Sequence, residues 1–314
     1  MLSVVIPVYN VSATLDRCLE SVVCQLPAGA EVIIVDDGSS DGSGAICDRW
    51  ADSNECIRVV HQTNAGLSAA RNAGISLARH PFITFVDSDD YVGQGVYTKI
   101  MALMTSNPNI DMVEYGIVKH LADGTTQTLA FDDHVYDNSV EYWLQLEAYN
   151  HTYAWNKVYK RSLFDTVRYP EGKHFEDMCV MPQLIGMMQQ VATISDVCYH
   201  YVVNPNGISC NATAADYATL LEAHWQMWQG IDIPAHSKAN YYMTMVNIQI
   251  TLCCMKWQKP LISTYRLWPC GLKGMAKIKS AMVSLMGIRL TCGIFVLLKK
   301  LISFARNAFF IIFA

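Results

Sequence analysis

Phe82-Ile-Thr-Phe-Val-Asp-Ser-Asp-Asp-Tyr91 is a short apolar run that ends in three carboxylates within four positions. A run of β-branched and aromatic residues bounded by polar ones is typical of a buried strand. The end of such a strand delivers its side chains to the carboxyl edge of a sheet, where open α/β folds bind ligands. Clustered carboxylate oxygens favour a hard divalent ion, Mg²⁺ or Mn²⁺. The alternative is a solvated acidic turn that begins the next helix, because a short Asp-rich run is by itself a weak motif.

Three further apolar runs precede this strand and alternate with helical patterns. Glu31-Val-Ile-Ile-Val35 is typical of a second buried strand. Leu15, Cys18, Leu19 and Val22 recur at helical spacing. Strands are predicted at residues 2–8, 31–35, 57–61 and 82–86, with helices at 14–23 and 64–78. This alternation with short loops predicts an α/β fold with a largely parallel sheet.

The loops that follow these strands are expected to converge on one crevice. Asp36-Asp-Gly-Ser39 can turn tightly and leave a carboxylate for a base or ribose, although an Asx-type turn that starts a helix is an equal alternative. Gly66 and Ser68 could offer backbone N–H groups to an anion near a helix start. Arg71 could pair with a diphosphate or with a loop carboxylate. The chain has neither G-x-G-x-x-G after its first strand nor a P-loop pattern, which removes the main support for those two nucleotide-binding classes.

Composition and charge narrow the class of protein. A chain of 314 residues with 52% hydrophobic residues has ample length for a core. Its net charge of −5 gives no basic field, so no nucleic-acid partner is expected. Eleven scattered cysteines without a C-x-x-C pair suggest reduced thiols in a cytosolic protein. The apolar start at residues 2–8 lacks a basic region and contains Pro7, which favours a strand over a signal peptide.

Four motifs, in this order along the chain, resemble glycosyltransferase family 2. They are Ser3-Val-Val-Ile-Pro-Val-Tyr-Asn10, Val35-Asp-Asp-Gly-Ser-Ser-Asp41, Asn64-x-Gly-Leu-Ser-x-Ala-Arg-Asn-x-Gly74 and Asp87-Ser-Asp-Asp90. The resemblance covers roughly residues 1–210, and four ordered motifs are more specific than any one of them. It implies a GT-A fold, which is Rossmann-like, an inverting mechanism, and a nucleotide-sugar donor bound with a divalent metal.

The same resemblance implies roles for residues around the donor. Pro7 and Tyr9 would line the nucleobase pocket. Asp37 would accept a hydrogen bond from the base, in the manner of uridine recognition. Arg71 would lie near the donor phosphates.

The carboxylates after the fourth strand would divide the remaining donor contacts. Asp87 would lie against the ribose or the sugar, and Asp89 would hold Mn²⁺ or Mg²⁺ at the diphosphate. Asp90 is then left as a helix-start acid. None of the three is expected to be the catalytic base, because they face the leaving group.

Direct displacement at an anomeric carbon needs a base that takes the proton from the acceptor hydroxyl. Phe175-Glu-Asp177 resembles the family's E-D motif, whose Asp is the expected base. We therefore assign Asp177 as the base and Glu176 as an orienting or sugar-binding neighbour. Without the resemblance, both residues would be interpreted as helix-start acids favoured by the helix dipole.

A second element, Trp155-Asn-Lys-Val-Tyr159, resembles the segment that precedes the family's acceptor region. Trp155 could stack on a sugar face, and Lys157 could meet an acidic group of the donor or acceptor. The alternative is a core Trp with a Lys that extends to the surface, which is the commoner arrangement.

The stretch Tyr199-His-Tyr-Val-Val-Asn-Pro-Asn-Gly-Ile-Ser209 resembles the family's Y-x-Y-R-x-x-x-x-S-I-S loop with two departures. Val202 stands where the family has Arg, and Gly207 where it has the first Ser. A diphosphate contact from this loop is therefore in doubt. Arg71, Lys157, a protonated His200 or the metal would have to supply the positive charge instead.

The C-terminal hundred residues lie outside the resemblance. Helices predicted at 216–229 and 240–258 would close over the acceptor site or form the face of a homo-oligomer. The apolar run at 290–298 is shorter than the roughly 20 residues that cross a bilayer. Residues 289–314 instead predict a basic amphipathic helix suited to an anionic membrane surface. A helix docked on the catalytic domain is the alternative.

These observations predict a nucleotide-sugar-binding half at 1–110, an acceptor-binding half at 111–212 and a helical extension at 213–314. The predicted enzyme is a hexosyl- or N-acetylhexosaminyltransferase that moves sugar from a UDP-sugar to a hydroxyl of a lipid-linked glycan. It would serve cell-surface polysaccharide synthesis at the cytoplasmic face of the cell membrane. The alternatives are a metal-dependent phosphohydrolase that uses Asp87 and Asp89, and a non-catalytic sugar-nucleotide- or glycan-binding module.

Overall fold

The computed structural model describes residues 1–205, 207, 210–257, 259–267 and 271–312, without the side chains of residue 236 and residues 302–312. Ser209 of the loop motif, residue 258 of the helix predicted at 240–258, and the face predicted for residues 302–314 therefore lie outside the described residues. The described part of that helix ends at Cys254, earlier than predicted. The chain forms two compact units. One comprises Met1–Trp143 with Thr152–Asn211, and the other Leu144–His151 with Ala212–Ala314.

The first unit is an α/β structure that begins with alternating strands and helices. Its strands are β1 (Leu2–Val8), β2 (Glu31–Asp36), β3 (Ile57–His61), β4 (Phe82–Phe85), β5 (Tyr91–Val92), β6 (Ile110–His120), β7 (Thr126–Leu129), β8 (His134–Tyr136), β9 (Lys157–Lys160) and β10 (Gln190–Val202). Its helices are α1 (Leu15–Val23), α2 (Ser43–Ser53), α3 (Leu67–Leu77), α4 (Val96–Ser106), α5 (Ser139–Gln145, which ends in the second unit) and α6 (Glu176–Met187). Helix α2 is an addition to the elements that the sequence pattern indicated.

The strands form one mixed sheet in the order β3-β2-β1-β4-β9-β6-β10-β5, with β7 beside β6 and β8 beside β10. Strands β1 to β4 are parallel, as the strand–helix alternation predicted. Strand β9 runs antiparallel to both β4 and β6, so the second half of the sheet is mixed. The buried apolar residues of β1, β2 and α1 form one core with those of β6 and β10.

Close packing of α3 on β1 fixes the height of Arg71 above the sheet. A Cβ atom on Gly74 would lie 2.3 Å from Cγ1 of Val5, so only glycine permits this approach. Arg71 lies one turn earlier on the same helix and is buried at the carboxyl end of the parallel strands. Gly74, the last residue of the Asn64–Gly74 motif, is therefore required by this close packing.

The second unit is helical. It contains α7 (Ala214–Gly230), α8 (Ala235–Cys254) and α9 (Gly274–Ile312). Helix α7 begins two residues before the predicted start, because Thr213 and Asp216 form a capping box. Pro234 precedes α8, which therefore begins earlier than residue 240.

Helix α9 bends at Gly287, whose φ of 82° is not helical. After the bend, Ile288, Thr291 and Cys292 are buried, whereas the opposite face is exposed and apolar. That face carries Leu290, Ile294, Leu297 and Leu301. Among the described residues, Gly274–Leu301 is long and apolar enough to cross a membrane by length and composition alone. The apolar run at 290–298 is therefore part of a longer apolar helix, and its attachment to a membrane stays a prediction.

Candidate active site

The ends of β1, β2 and β4 meet at one edge of the sheet. Val8 pairs with Asp36 in register, and the backbone N–H of Asp37 donates to the carbonyl of Val8. Pro7 is buried within β1, whereas Tyr9, just beyond the strand, is 51% exposed. An exposed aromatic ring beside a buried proline leaves a surface on which a planar base could stack.

Asp37 shapes the loop that precedes α3. Its Oδ1 accepts hydrogen bonds from Gln62 and from the backbone N–H of Ala65, and its Oδ2 accepts from the N–H of Gly66. The next residue, Gly38, has a φ of +74°, and a Cβ there would lie 2.9 Å from the Asn64 nitrogen. The carboxylate therefore already has three donors, and a base N–H would be a fourth partner on Oδ2.

The neighbouring Asp36 is hydrogen-bonded to His61, a partner that the motifs did not indicate. His61 Nδ1 lies 2.7 Å from Asp36 and its Nε2 lies 2.9 Å from Asp48. These hydrogen bonds, first to Asp36 and then to Asp48, raise the pKa of His61. Asp36 and His61 share a register position at the ends of β2 and β3, which is the sequence signal that could have revealed the pair.

Arg71 connects the two acidic motifs. Its Nη1 donates to Glu176 at 2.6 Å and to Asp177 at 3.0 Å, and its Nη2 donates to Asp87 at 3.0 Å. Burial alone would lower the pKa of this guanidinium, but the charges of Asp177, Asp87 and Glu176 raise it. The sequence predicted that Arg71 pairs either with a diphosphate or with a loop carboxylate. The structure shows the contact with the loop carboxylate Asp87, and a diphosphate contact stays a prediction.

Asp177 lies in the first turn of α6, where the helix dipole also acts on it. Its Oδ2 accepts from the backbone N–H of Ala154, and its side chain is 17% exposed. Burial raises the pKa of Asp177 to about 7 against the opposing charge of Arg71, with help from Glu176 and Asp87. A carboxylate with a pKa near 7 and partial access is suited to accept a proton at neutral pH.

The carboxylates after β4 have separate environments. Tyr199 accepts a hydrogen bond from the Asp87 backbone N–H and donates to Asp90, which also accepts from the N–H of Val202. Asp90 is fully buried, and α4 begins only at Val96. The prediction that Asp90 is a helix-start acid is wrong, because its carboxylate joins the β4 loop to β10 instead.

Asp89 is the residue that fits a divalent cation. Burial and the nearby charge of Asp87 raise the pKa of Asp89. A bound cation would therefore offset the cost of keeping this carboxylate ionised. The described residues contain no group of three side chains able to hold a metal ion. Asp89 would therefore supply one ligand of a site completed by oxygens from water and the substrate, which is the usual manner of Mg²⁺.

Lys157 lies in the core. It is fully buried, and its ammonium donates to Glu114 at 2.7 Å and to the oxygens of Tyr153 and Asn156 at 2.9 Å. Burial lowers its pKa against the charge of Glu114. All three N–H groups of the ammonium are bonded inside the first unit. This argues against the predicted contact between Lys157 and an acidic group of the nucleotide-sugar or the acceptor.

Trp155 and His200 lie within aromatic stacks. Trp155 is buried with Tyr153 at 4.6 Å and Tyr199 at 4.2 Å between ring centres. His200 stacks on Tyr91 at 4.3 Å, and burial followed by the charge of His120 lowers its pKa. His200 is therefore neutral at pH 7, so the prediction that a protonated His200 replaces the missing arginine is not supported.

Tyr199 gives a prediction about metal binding. Replacing it by Phe removes the hydroxyl that holds both Asp87 and Asp90, so the Asp89 loop loses its restraint. We expect the affinity for Mn²⁺ in the presence of UDP to fall about tenfold, as outer-shell changes typically do. Tyr142→Phe is the matched control, since it removes a buried tyrosine–carboxylate bond at Glu114 instead. Calorimetric titration measures both, and equal Mn²⁺ affinity in the wild type and Tyr199→Phe would contradict this role.

Comparison with known proteins gives one family. A profile described as Glycosyl transferase family 2 matches residues 3–170. The uncharacterized glycosyltransferase EpsJ of Bacillus subtilis is 32% identical over 237 residues, which are 72% of this chain and 67% of EpsJ. Glycosyltransferase GlyA of Streptococcus pneumoniae is 30% identical over 66% of this chain, but the chain spans only 31% of GlyA.

Solved structures share the fold at low identity. TarS 1–349 of S. aureus, in complex with UDP-GlcNAc, superposes with a TM-score of 0.66 at 20% identity, over 80% of this chain and 72% of that one. The mannosyltransferase PcManGT of Pyrobaculum calidifontis, in complex with GDP-Man and Mn²⁺, gives a TM-score of 0.57 at 16% identity, over 96% and 86%. The predicted GT-A fold is confirmed.

Proposed function

Because this chain belongs to glycosyltransferase family 2, we propose that it moves a sugar from a UDP-sugar to a hydroxyl of a glycan acceptor by an inverting displacement. The observation that carries the proposal is the cluster around Arg71. It brings Asp177, the candidate base, into the same ion-pair network as Asp87, which lies far from it in the sequence. A base near the donor carboxylates is the arrangement that direct displacement requires.

The chemistry follows from where the proton and the leaving group go. Asp177 takes the proton of the acceptor hydroxyl as that oxygen attacks the anomeric carbon. The bond from this carbon to the diphosphate oxygen breaks, and UDP departs from the opposite face. Arg71 and the Ala154 N–H hold the Asp177 carboxylate in place. A divalent ion held by Asp89 would supply Lewis-acid stabilisation of the leaving diphosphate.

The proposed donor is a UDP-sugar carrying a hexose or an N-acetylhexosamine. Exposed Tyr9, two residues after buried Pro7, offers a base-stacking surface, and Asp37 offers the acceptor oxygen. TarS supports this choice through its complexes with UDP-GlcNAc and UDP, whereas the PcManGT complex holds GDP-Man. Because proteins of this fold are found with either nucleotide, the base is the property to measure.

Calorimetric titration with UDP and with GDP, each with Mn²⁺, tests the nucleotide. We expect UDP to bind at least about tenfold tighter, because a hydrogen bond to a carboxylate is worth roughly 1.5–3 kcal/mol. Equal affinities would contradict the assignment of Asp37 to the base. A phosphohydrolase that uses Asp87 and Asp89 would show no preference for uridine and would release phosphate from p-nitrophenyl phosphate.

The phosphohydrolase alternative has less support from the site. Asp87 accepts a bond from Arg71 and is therefore restrained rather than free to attack phosphorus. A non-catalytic binding module was considered because Val202 replaces the family arginine. Val202 contributes its backbone N–H to Asp90, and the acidic positions of the family motifs are all present, which favours an active enzyme.

We further propose that α9 attaches the protein to the cytoplasmic face of an anionic membrane, where it meets a lipid-linked acceptor of cell-surface polysaccharide synthesis. The supporting feature is the exposed apolar face of Leu290, Ile294, Leu297 and Leu301. Exposed basic residues Arg289, Lys299 and Lys300 flank it, and no acidic residue follows residue 273. Apolar burial and attraction to anionic headgroups act together in such helices.

Membrane attachment predicts the behaviour of point variants on this face. Leu290 and Leu297 are 62% and 58% exposed, so replacing both by Ser leaves the helix packing intact. We expect binding to vesicles of phosphatidylglycerol and phosphatidylcholine to fall about tenfold or more. Met187→Ser is the control, because Met187 is an exposed apolar residue at the end of α6. Sedimentation with vesicles measures the bound fraction, and an unchanged fraction in the double variant would exclude this face.

A further inference from the structure

Tyr153 forms the outer end of an aromatic stack beside the proposed base. Its ring lies parallel to Trp155, at 4.6 Å between centres and 10° between planes. Trp155 in turn stacks on Tyr199 at 4.2 Å, so both faces of the indole are covered. Tyr153 is 36% exposed, whereas Trp155 is 4% exposed, so Tyr153 is the member of this pair that a ligand can reach. In this stack the accessible aromatic residue is therefore Tyr153, and not the Trp155 that the sequence motif indicated.

The backbone around Tyr153 is tied to the catalytic cluster. Its carbonyl accepts a hydrogen bond from the buried Lys157 at 2.9 Å. The next residue, Ala154, donates its N–H to the Asp177 carboxylate at 3.2 Å. The segment that carries the ring and the carboxylate that takes the proton are thus held together by direct bonds. The charge of Asp177 also raises the pKa of the Tyr153 phenol, which is consistent with the two side chains lying near one another.

The chemistry of the ring indicates what it binds. A pyranose presents a face of C–H groups, which packs against the negative face of an aromatic ring. The hydroxyl of Tyr153 makes no hydrogen bond within the described part of the chain, so it can bond a sugar hydroxyl. Burial, followed by the charges of Glu114 and Asp177, raises the pKa of this phenol, which keeps it neutral and able to donate.

We propose that the Tyr153 ring is the stacking surface for the pyranose ring of the acceptor, beside the Asp177 carboxylate. This subsite rests on the proposed glycosyltransferase function and adds to it the chemical class of the group next to the base. The packing of Tyr153 against Trp155, and the bond of its carbonyl to Lys157, hold the ring before the acceptor arrives. A preorganised surface of this kind lowers the cost of binding.

Saturation-transfer NMR tests the subsite without turnover. The probes are methyl glucopyranoside, methyl galactopyranoside and methyl N-acetylglucosaminide, added to protein loaded with UDP and Mn²⁺. We expect transfer to the ring C–H protons of at least one glycoside in the wild type and in Tyr153→Phe. Tyr153→Ala should lose it. No transfer in wild-type protein that binds UDP, or equal transfer in Tyr153→Ala, would overturn the subsite.

Kinetics then separate this role from a structural one. With octyl glycosides as acceptors, Tyr153→Ala should raise the acceptor KM about tenfold, while Tyr153→Phe stays near the wild type. The donor KM and the slow release of UDP without acceptor should not change. A parallel loss in donor and acceptor kinetics would mean that Tyr153 only supports the fold, which would overturn the proposal. Failure of the protein to bind UDP would instead refute the proposed UDP-sugar-dependent function on which the subsite rests.

Discussion

Asp177→Asn abolishes sugar transfer and leaves UDP binding intact, if Asp177 is the base. Asn has nearly the same shape, and its amide oxygen can still accept one of the two hydrogen bonds that Asp177 receives, from the Ala154 N–H or from Arg71. It cannot take a proton from the acceptor hydroxyl. We expect the turnover rate to fall by about 10³-fold or more, near the upper range for removal of a general base. Acceptor-dependent UDP release measures the rate, and titration calorimetry measures UDP binding.

Asp165→Asn is the matched control for this change. Asp165 pairs with Arg161 on an exposed surface of the same unit, and its loss should leave turnover unchanged. Substantial transfer by Asp177→Asn would remove the assignment. A fall in UDP affinity equal to the fall in rate would also contradict it, since the base contacts the acceptor and not the nucleotide.

The pH dependence of the wild type follows from the same carboxylate. Because burial raises the pKa of Asp177 to about 7, the residue is protonated below that pH and cannot act as a base. The value of kcat/KM should therefore rise as pH increases through about 7, and it should fall about tenfold per unit below it. A profile that stays flat between about pH 5.5 and 8 would contradict the shifted pKa.

Arg71→Met should have the largest effect on stability. The side chain is fully buried and bonds Asp87, Glu176 and Asp177, so its removal leaves three carboxylates without their cation. Breaking a buried ion pair by removing one partner typically costs about 3–5 kcal/mol. We expect a loss in the free energy of unfolding of at least that size at pH 8, together with loss of transfer. Urea unfolding measures the first quantity.

Two controls sharpen the Arg71 experiment. Arg49→Met removes an exposed ion pair with Asp16 and should change the free energy of unfolding by less than about 1 kcal/mol.

The loss of unfolding free energy in Arg71→Met should also shrink as pH falls toward 5, because protonation then neutralises carboxylates that have lost their partner. Arg71→Lys keeps the charge, but it cannot reach three carboxylates with a planar fork. A stable Arg71→Met protein at pH 8 would contradict the account of this cluster.

Much of the first unit could be predicted because its signals are local. Apolar runs gave β1 to β4, and the glycines and carboxylates after them indicated loops at one edge of the sheet. The positions of Asp37, Asp87 and Asp177 followed from motifs. Strand β9 was less predictable, since its antiparallel pairing with β4 depends on residues more than 70 positions apart.

Side-chain partners could not be predicted in the same way. Nothing near Arg71 in the sequence indicates that it bonds Glu176, 105 positions away. Asp90 accepts a hydrogen bond from Tyr199, 109 positions away, and Lys157 donates one to Glu114, 43 positions away. Each of these groups is buried, so its partner is set by the requirement to satisfy a polar atom away from water. Because of this requirement Asp90 and Lys157 are bonded in the core, whereas the sequence motifs had indicated exposed roles for both.

The most direct test of the account is UDP release from a panel of UDP-sugars with Mn²⁺, measured with and without a lipid-linked glycan acceptor. The account predicts that at least one UDP-sugar gives UDP release that depends on both Mn²⁺ and the acceptor, and that Asp177→Asn abolishes it. Release that ignores the acceptor, or that persists in Asp177→Asn, would contradict it.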